Sequence, residues 1–284
     1  MSETLLHVER EGLGHAAAAP RVPLYGKARL RALAWRLAPG VLPAVLLGLW
    51  AVGCASGWIA PQILPPPERV FDTFVGLARS GDLLSNTLIS VQRVLIGFAA
   101  GTLLGFALGA ALGLSRTLEA YVLPAFNALV QIPVLGWLPF LLLLVGVGEP
   151  LKYMLIAHAA LVPVTLSTLQ GFRQTPASLD EVARVFQYNG WQRIFYLVVP
   201  AAVPTLATGL RLALTKAWLT LVVVELMASS EGLGYLIVYG RQLFQLDLVM
   251  ASVVVVGAIG YAMNRSLDAL EARLRRGQPS AFRG

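Results

Sequence analysis

Arg93, Arg211, Lys216, Glu225, His158, Asn127 and Gln131 are polar side chains set in otherwise apolar runs, so the chemistry of this chain has to be sought among them. An ionised group at the centre of a membrane helix costs about 3 kcal/mol or more, and each therefore needs a partner or a task. Arg93 and Glu225 are the sharpest case. If their runs are spans, Arg93 lies about six residues and Glu225 about four from the same membrane face, roughly 9 and 6 Å at 1.5 Å per residue. An ion pair between the two spans is one of two readings left open. The competing reading has Arg93 snorkelling to headgroups while Glu225 faces water. Lys216 lies too far along the same helix to replace Arg93 as the partner.

Asn127 and Gln131 stand one turn apart in a run interrupted by Pro124, Pro133, Gly136 and Pro139. Broken helices at membrane depth occur where they are buried in protein or line a watery cavity. Pathway lining and plain bundle packing both fit. His158 is expected to be an interior, hydrogen-bonded histidine and not a proton relay. His7 and His15 are scattered and Cys54 is alone, so neither a metal site nor an intrachain disulfide is expected. No nucleophile, base and orienting acid cluster, and no Gly-x-x-x-x-Gly-Lys loop is present. No catalytic, cofactor or metal site is expected, and this chain should not hydrolyse ATP.

The elements that position these groups are apolar helices. The 284 residues are 57% hydrophobic and 13% charged, with a mean hydropathy of +0.70, whereas a soluble domain carries about 25% charged residues. The reading is an all-α integral membrane protein with about six spans, near 39–57, 87–114, 122–147, 154–169, 205–228 and 248–263. Only Arg69, Arg79, Lys152 and Arg241 fall outside when the N-terminus is placed in the cytoplasm. That bias agrees with the positive-inside rule and puts both termini in the cytoplasm. The net charge of +7 thus reflects topology and lipid contact, not nucleic-acid binding. No cleavable signal is expected, since the first apolar run begins only at 39.

Residues 1–26 read as a disordered tail and 27–37 as a helix on the anionic inner surface. An amphipathic helix over 68–84 should lie along the outer interface. Gly97, Gly101, Gly105, Gly109 and Gly113 form a stripe for close helix packing. Because four residues exceed one turn, the stripe winds, and its partner is expected to cross it obliquely. Beyond the fifth span, Gly232 and Gly234 mark a tight turn into a short interfacial helix.

One polar stretch, 175–204, interrupts the second half. Ser178-x-x-Glu181 reads as a capping box, Val182, Val185 and Phe186 give an apolar face, and Asn189-Gly190 marks a turn. Trp191, Ile194, Phe195 and Val198 then begin a second amphipathic helix, which Pro200 and Pro204 should end. A structured helix-turn-helix on a membrane protein implies a soluble partner.

This stretch resembles the cytoplasmic coupling loop of ABC importer permeases, a Glu-Ala-Ala pattern followed by a Gly and a more distant Pro. Glu181-Val182-Ala183 and Pro200 match it, while Gln187 stands at the position of the Gly. Pro65-Pro66-Pro67-x-x-Val70, Ser90-x-x-Arg93-x-x-x-Gly97, Ile132-Pro133-x-x-x-Trp137-x-Pro139, Gly209-Leu210-Arg211, Glu225-Leu226 and Gly232-Leu233-Gly234 extend the match from about 61 to the C-terminus. Together they resemble the nitrate, sulfonate and taurine branch of type I permeases.

The resemblance implies a type I importer permease fold in a bacterial inner membrane, without cofactor. It implies ATPase subunits docked on the loop, an extracytoplasmic binding protein and a second, identical permease copy. Tail 1–38, permease domain 39–263 with its loop at about 170–202, and tail 264–284 would be the organisation. Glu181, Val182, Ala183, Val185, Phe186, Gly190 and Pro200 are the expected coupling positions, with Val182, Ala183, Val185 and Phe186 inserted into the ATPase. Since Gln187 cannot readily supply the bend of a glycine, the turn is expected to move to Gly190. Arg93, Glu225, Asn127, Gln131, Gly232 and Gly234 are candidates for the pathway or its gate. A secondary transporter working without an ATPase, or a membrane-embedded enzyme using Glu225, Asn127 or His158, are the alternatives.

Overall fold

A computed structural model describes residues 25–175, 181 and 183–276. Val182, Ser178, most of the N-terminal tail and the last eight residues, 277–284, lie outside the described residues. In chain order the helices are α1 (Tyr25–Ala55), α2 (Pro67–Ser80), α3 (Asp82–Leu114), α4 (Arg116–Val130), α5 (Leu138–Val145) and α6 (Glu149–Arg173). Then come α7 (Gly190–Ala228), α8 (Leu233–Gln242) and α9 (Leu246–Arg276). There is no strand among the described residues.

All six apolar runs are helical. α3, α6, α7 and α9 are each long and apolar enough to cross a membrane, and α4 with the 134–145 segment forms an apolar pair bent by 89°, the geometry of a broken span or a re-entrant loop. Pro133 sits at that break, where it removes a donor. The first run is the apolar part of α1, Gly40–Ala55, which is shorter than these. The fourth run extends well past its expected ends, to 25 residues.

α6 is the central helix, with 61% of its apolar window buried inside the chain. α3 lies along one side of it through the glycine stripe. A Cβ on Gly97 would meet Ile156, on Gly105 the Leu161 carbonyl and on Gly113 the Phe172 side chain. Partner residues rise in step with the glycines, so α3 and α6 run parallel in direction and stay together along the whole stripe. The expected single oblique crossing is not what forms. Without side chains in the way, α6 can follow the winding of the stripe instead of leaving it. α7 packs antiparallel on α6 by the same device, with Gly171 against Ala202 and Gly209 against Ser167. Val94, Ile156, Ala160, Val164, Ala213, Trp218, Leu221, Leu236 and Val255 form the core between these helices, α8 and α9.

Two helix ends differ from the sequence reading. The helix expected over 68–84 stops at Gly81, whose φ of 85° is left-handed, and α3 begins at once. Pro200 and Pro204 do not end a helix: α7 runs 39 residues through both. A π turn over Ile194–Val198 immediately precedes Pro200, with the Val199 amide donating to the Ile194 carbonyl. The wider turn takes up the clash a proline ring makes with the carbonyl four residues back.

Candidate functional site

At the end of the bundle where α3 and α6 begin and α7 finishes, Arg93, Lys152 and Glu225 are buried, with Glu149 at their exposed rim. Arg93, only 3% exposed, extends from α3 into the gap between α6 and α7. Its Nε and Nη2 grip Glu149 at 2.8 and 2.5 Å as a two-pronged fork. Its Nη1 donates to Glu225 Oε1 at 2.9 Å and to the Glu231 carbonyl at 2.8 Å. Of the two open readings the structure takes the ion pair between Arg93 and Glu225, and snorkelling is ruled out for Arg93. Lys152 Nζ completes the set by donating to Glu149 at 2.8 Å. Two cations and two carboxylates make the cluster neutral, which is what tolerates its burial.

The Gly-Leu-Gly turn folds over this cluster. Ser90 Oγ donates to the Glu225 carboxylate at 2.9 Å and accepts from the Leu233 amide at 2.9 Å. The Gly234 amide donates to Glu225 Oε2 at 2.9 Å, and the Gly232 amide to Asn86 Oδ1 at 2.7 Å. Gly232 holds φ at 106°, and a Cβ there would fall on the Glu225 carboxylate. At Gly234 a Cβ would lie 2.6 Å from that of Glu225. Both glycines are thus needed so that backbone can close on a carboxylate. The sequence reading grouped Arg93, Glu225, Gly232 and Gly234 as gate candidates, and the structure brings all four together. Asn86, Ser90, Glu149 and Lys152 were missed. Glu149 and Lys152, three apart at the start of a helix, carried a readable signal.

The remaining intramembrane polar groups lie elsewhere. Arg211 pairs with Asp268 at 2.8 Å and with Glu271, tying α7 to α9. Asn127 and Gln131 are exposed beside the break in the α4–α5 pair and make no contact with the charged cluster among the described residues. The hydrogen bond expected for His158 is not made among the described residues. Its ring stands edge-on to Trp137, centroids 6.0 Å apart, so packing takes the place of a polar partner.

At the opposite end of the bundle, residues 183–190 of the polar stretch form a turn. Helix from 183 to 185 stops with the Tyr188 amide on the Ala183 carbonyl and the Gln187 amide on the Arg184 carbonyl. This is a Schellman closure, and Gln187 occupies its left-handed position with φ 54°. The expected displacement of the bend to Gly190 is therefore wrong. Two closing hydrogen bonds outweigh the about 1–2 kcal/mol that a side chain costs in this region. Gly190 is instead the first residue of α7, capped by Asn189 in a reciprocal box with Gln192.

Exposure divides the expected docking residues. Val185 and Phe186 are 79% and 68% exposed, while Ala183 is 3% exposed. Ala183 packs into its own chain, because the Schellman turn folds its face inward, and the expectation that it inserts into a partner is corrected. Glu181 is exposed and Pro200 half-buried on α7. Trp191, Phe195 and Tyr196, all more than half exposed, extend the apolar face beyond Phe186, with Trp191 and Phe195 stacked 5.9 Å apart.

Residues 101–276 match the family described as binding-protein-dependent transport system inner membrane component. The chain belongs to this family. A Bacillus subtilis (strain 168) relative, which bears the name of an aliphatic sulfonates transport permease, is 37% identical across 82% of this chain and 85% of its own. The taurine transport system permease protein of Escherichia coli (strain K12) is 31% identical across 87% of this permease and 94% of itself. Solved structures of the MetNI methionine ABC transporter, inward facing, superpose on 65% of this permease with a TM-score of 0.55 at 17% identity. That likeness establishes the type I importer permease fold. The chain is a multi-pass membrane transport subunit.

Proposed function

We propose that this permease moves a small sulfonate, such as taurine or an alkanesulfonate, inward across a bacterial inner membrane, driven by ATPase subunits docked on residues 181–196. In this reading the docking turn and both termini face the cytoplasm, and the Arg93–Glu225 cluster faces outside. Domain 39–263 spans the membrane between tails 1–38 and 264–284, and two copies of the chain, seated in lipid, enclose the pathway. Asn127 and Gln131, exposed beside the broken span, line it. Glu181, Val185 and Phe186 contact the ATPase, with Val182 between them, while Ala183, Gly190 and Pro200 hold the turn that presents them.

The observation that carries the reading is the continuity of α7. It starts at Gly190 in the docking turn and reaches Glu225 beneath the Gly-Leu-Gly turn without a break. At 1.5 Å per residue the stretch from Gly190 to Glu225 spans about 53 Å. A push on the docking turn is delivered to the far end of the bundle by one element, and the Pro200 π turn is where it can flex. Sulfonate is preferred as substrate because the relatives named for sulfonates and taurine cover most of the chain.

The test is to purify the chain with its tightly bound partners and reconstitute it in liposomes. An ATPase should co-purify, and ATP with binding protein should drive taurine or alkanesulfonate uptake. Uptake by the lone chain down an ion gradient would replace this reading with a secondary transporter.

A further inference from the structure

Phe244 is the most exposed large apolar residue among those described, at 91%, and it is also backbone-strained. Its φ of 58° is left-handed, a region in which a bulky residue is an outlier and glycine the natural occupant. The Phe244 amide closes on the Arg241 carbonyl at 3.2 Å and the Gln245 amide on the Gly240 carbonyl at 2.8 Å. These bonds make a Schellman turn between α8 and α9, with Phe244 at the position that usually takes glycine. The turn is anchored: Asp247, three residues on, accepts from Thr73 of α2 at 2.6 Å. A Cβ on Gly240 would already press on the Gln245 carbonyl at 3.1 Å. The two closing hydrogen bonds offset the strain, as they do at Gln187, but they call for no aromatic ring at this position, and nothing inside the chain covers it.

Resting on the importer reading above, we infer that Phe244 is the apolar knob on which the extracytoplasmic binding protein seats. It stands at the same end of the bundle as the Arg93–Glu225 cluster, opposite the docking turn. Its neighbours place it outside the hydrocarbon layer, and the stability readout below separates a protein partner from a headgroup contact. Arg241, Gln242 and Gln245 are all exposed around it, and Leu243 beside it is 48% exposed. An aromatic with a polar rim is the make-up of an interface hot spot, where rim groups exclude water around one buried anchor. A ring anchored in acyl chains would have apolar neighbours in their place. The strained turn fixes the ring in advance, so little conformational entropy is lost on docking.

The test uses the permease–ATPase complex in nanodiscs and the purified binding protein of the same system, loaded with taurine or an alkanesulfonate. ATP hydrolysis and direct binding are followed as that protein is titrated. Phe244→Gly should leave basal hydrolysis unchanged and hold or raise the thermal midpoint, since glycine relieves the left-handed strain. The concentration for half-maximal stimulation should rise at least tenfold, and Phe244→Trp should restore most of it. Unchanged half-stimulation in Phe244→Gly overturns the inference. Lowered stability in the bilayer with intact binding overturns it too, and makes Phe244 a lipid anchor. If the wild-type complex hydrolyses ATP but ignores the binding protein in both assays, the importer reading fails first, and the inference with it.

Discussion

Exchange of the charges of Arg93 and Glu225 is expected to fail as a rescue, because the pair is embedded in contacts of fixed polarity. Glu225→Ala leaves Arg93 its fork to Glu149, so the loss should be near the low end of the about 3–5 kcal/mol seen on breaking buried pairs. Arg93→Ala is worse. It strands Glu225, whose side chain is 0% exposed, and halves the neutralisation of Glu149, leaving Lys152 alone. A loss near the upper end, about 5 kcal/mol, is expected there. The double alanine variant should be less destabilised than the sum by about 2 kcal/mol, the coupling typical of contacting charges. In the swap, Glu at 93 would stand against Glu149, and Arg at 225 would face the Gly234 amide, a donor where an acceptor is needed. The swap should therefore be no more stable than Arg93→Ala. Denaturant unfolding of the purified chain in mixed micelles reads these differences, with sulfonate uptake as a second readout. Additive alanine effects, or a swap that regains half the loss, would refute the network.

Gly105→Leu should drive α3 from α6, since even a Cβ there lies 2.6 Å from the Leu161 carbonyl; uptake and assembly should both fall, and normal levels would place the stripe outside the contact. Gln187→Gly should stabilise the docking turn by up to about 1 kcal/mol, as glycine enters the left-handed region freely, without lowering transport. A drop in its thermal midpoint would contradict the φ assigned to Gln187. Phe186→Ala should uncouple ATP hydrolysis from uptake with the bundle still folded. Ala183→Arg should unfold the turn itself, which limited proteolysis would detect.

The span-level plan was legible because apolar runs and charge bias are set by the bilayer. The charged cluster was half legible. Depth arithmetic put Arg93 level with Glu225, and the Gly-Leu-Gly turn was recognisable, but hydropathy drew the fourth run from 154 and left Glu149 and Lys152 looking like loop. Neutralisation of Glu149 by two cations is a contact through space, which no average over a window registers. Local rules failed where tertiary or hydrogen-bond geometry outweighed them. Gln187 took the left-handed position because two amides needed those carbonyls, and Pro200 was absorbed by a π turn that no composition signals. The sequence reading also treated Ala183 as part of an exposed stripe, since periodicity does not say which face a turn folds inward.

The order in which the cluster can assemble follows from where its members lie along the chain. Arg93 enters the membrane first, and Glu149 follows 56 residues later. Glu225 comes 132 residues after Arg93, which at about 5–20 residues per second is roughly 7 to 26 s of synthesis. During that interval Glu149 alone offsets the guanidinium, and its Nη1 has neither Glu225 nor the Glu231 carbonyl to bond. α3 and α6 must therefore pair before α7 exists, and the glycine stripe gives them a reason to. A ribosome that stops short of Glu225 leaves a half-satisfied arginine within the bilayer. Such a nascent chain is the form that membrane quality control would be expected to find and degrade.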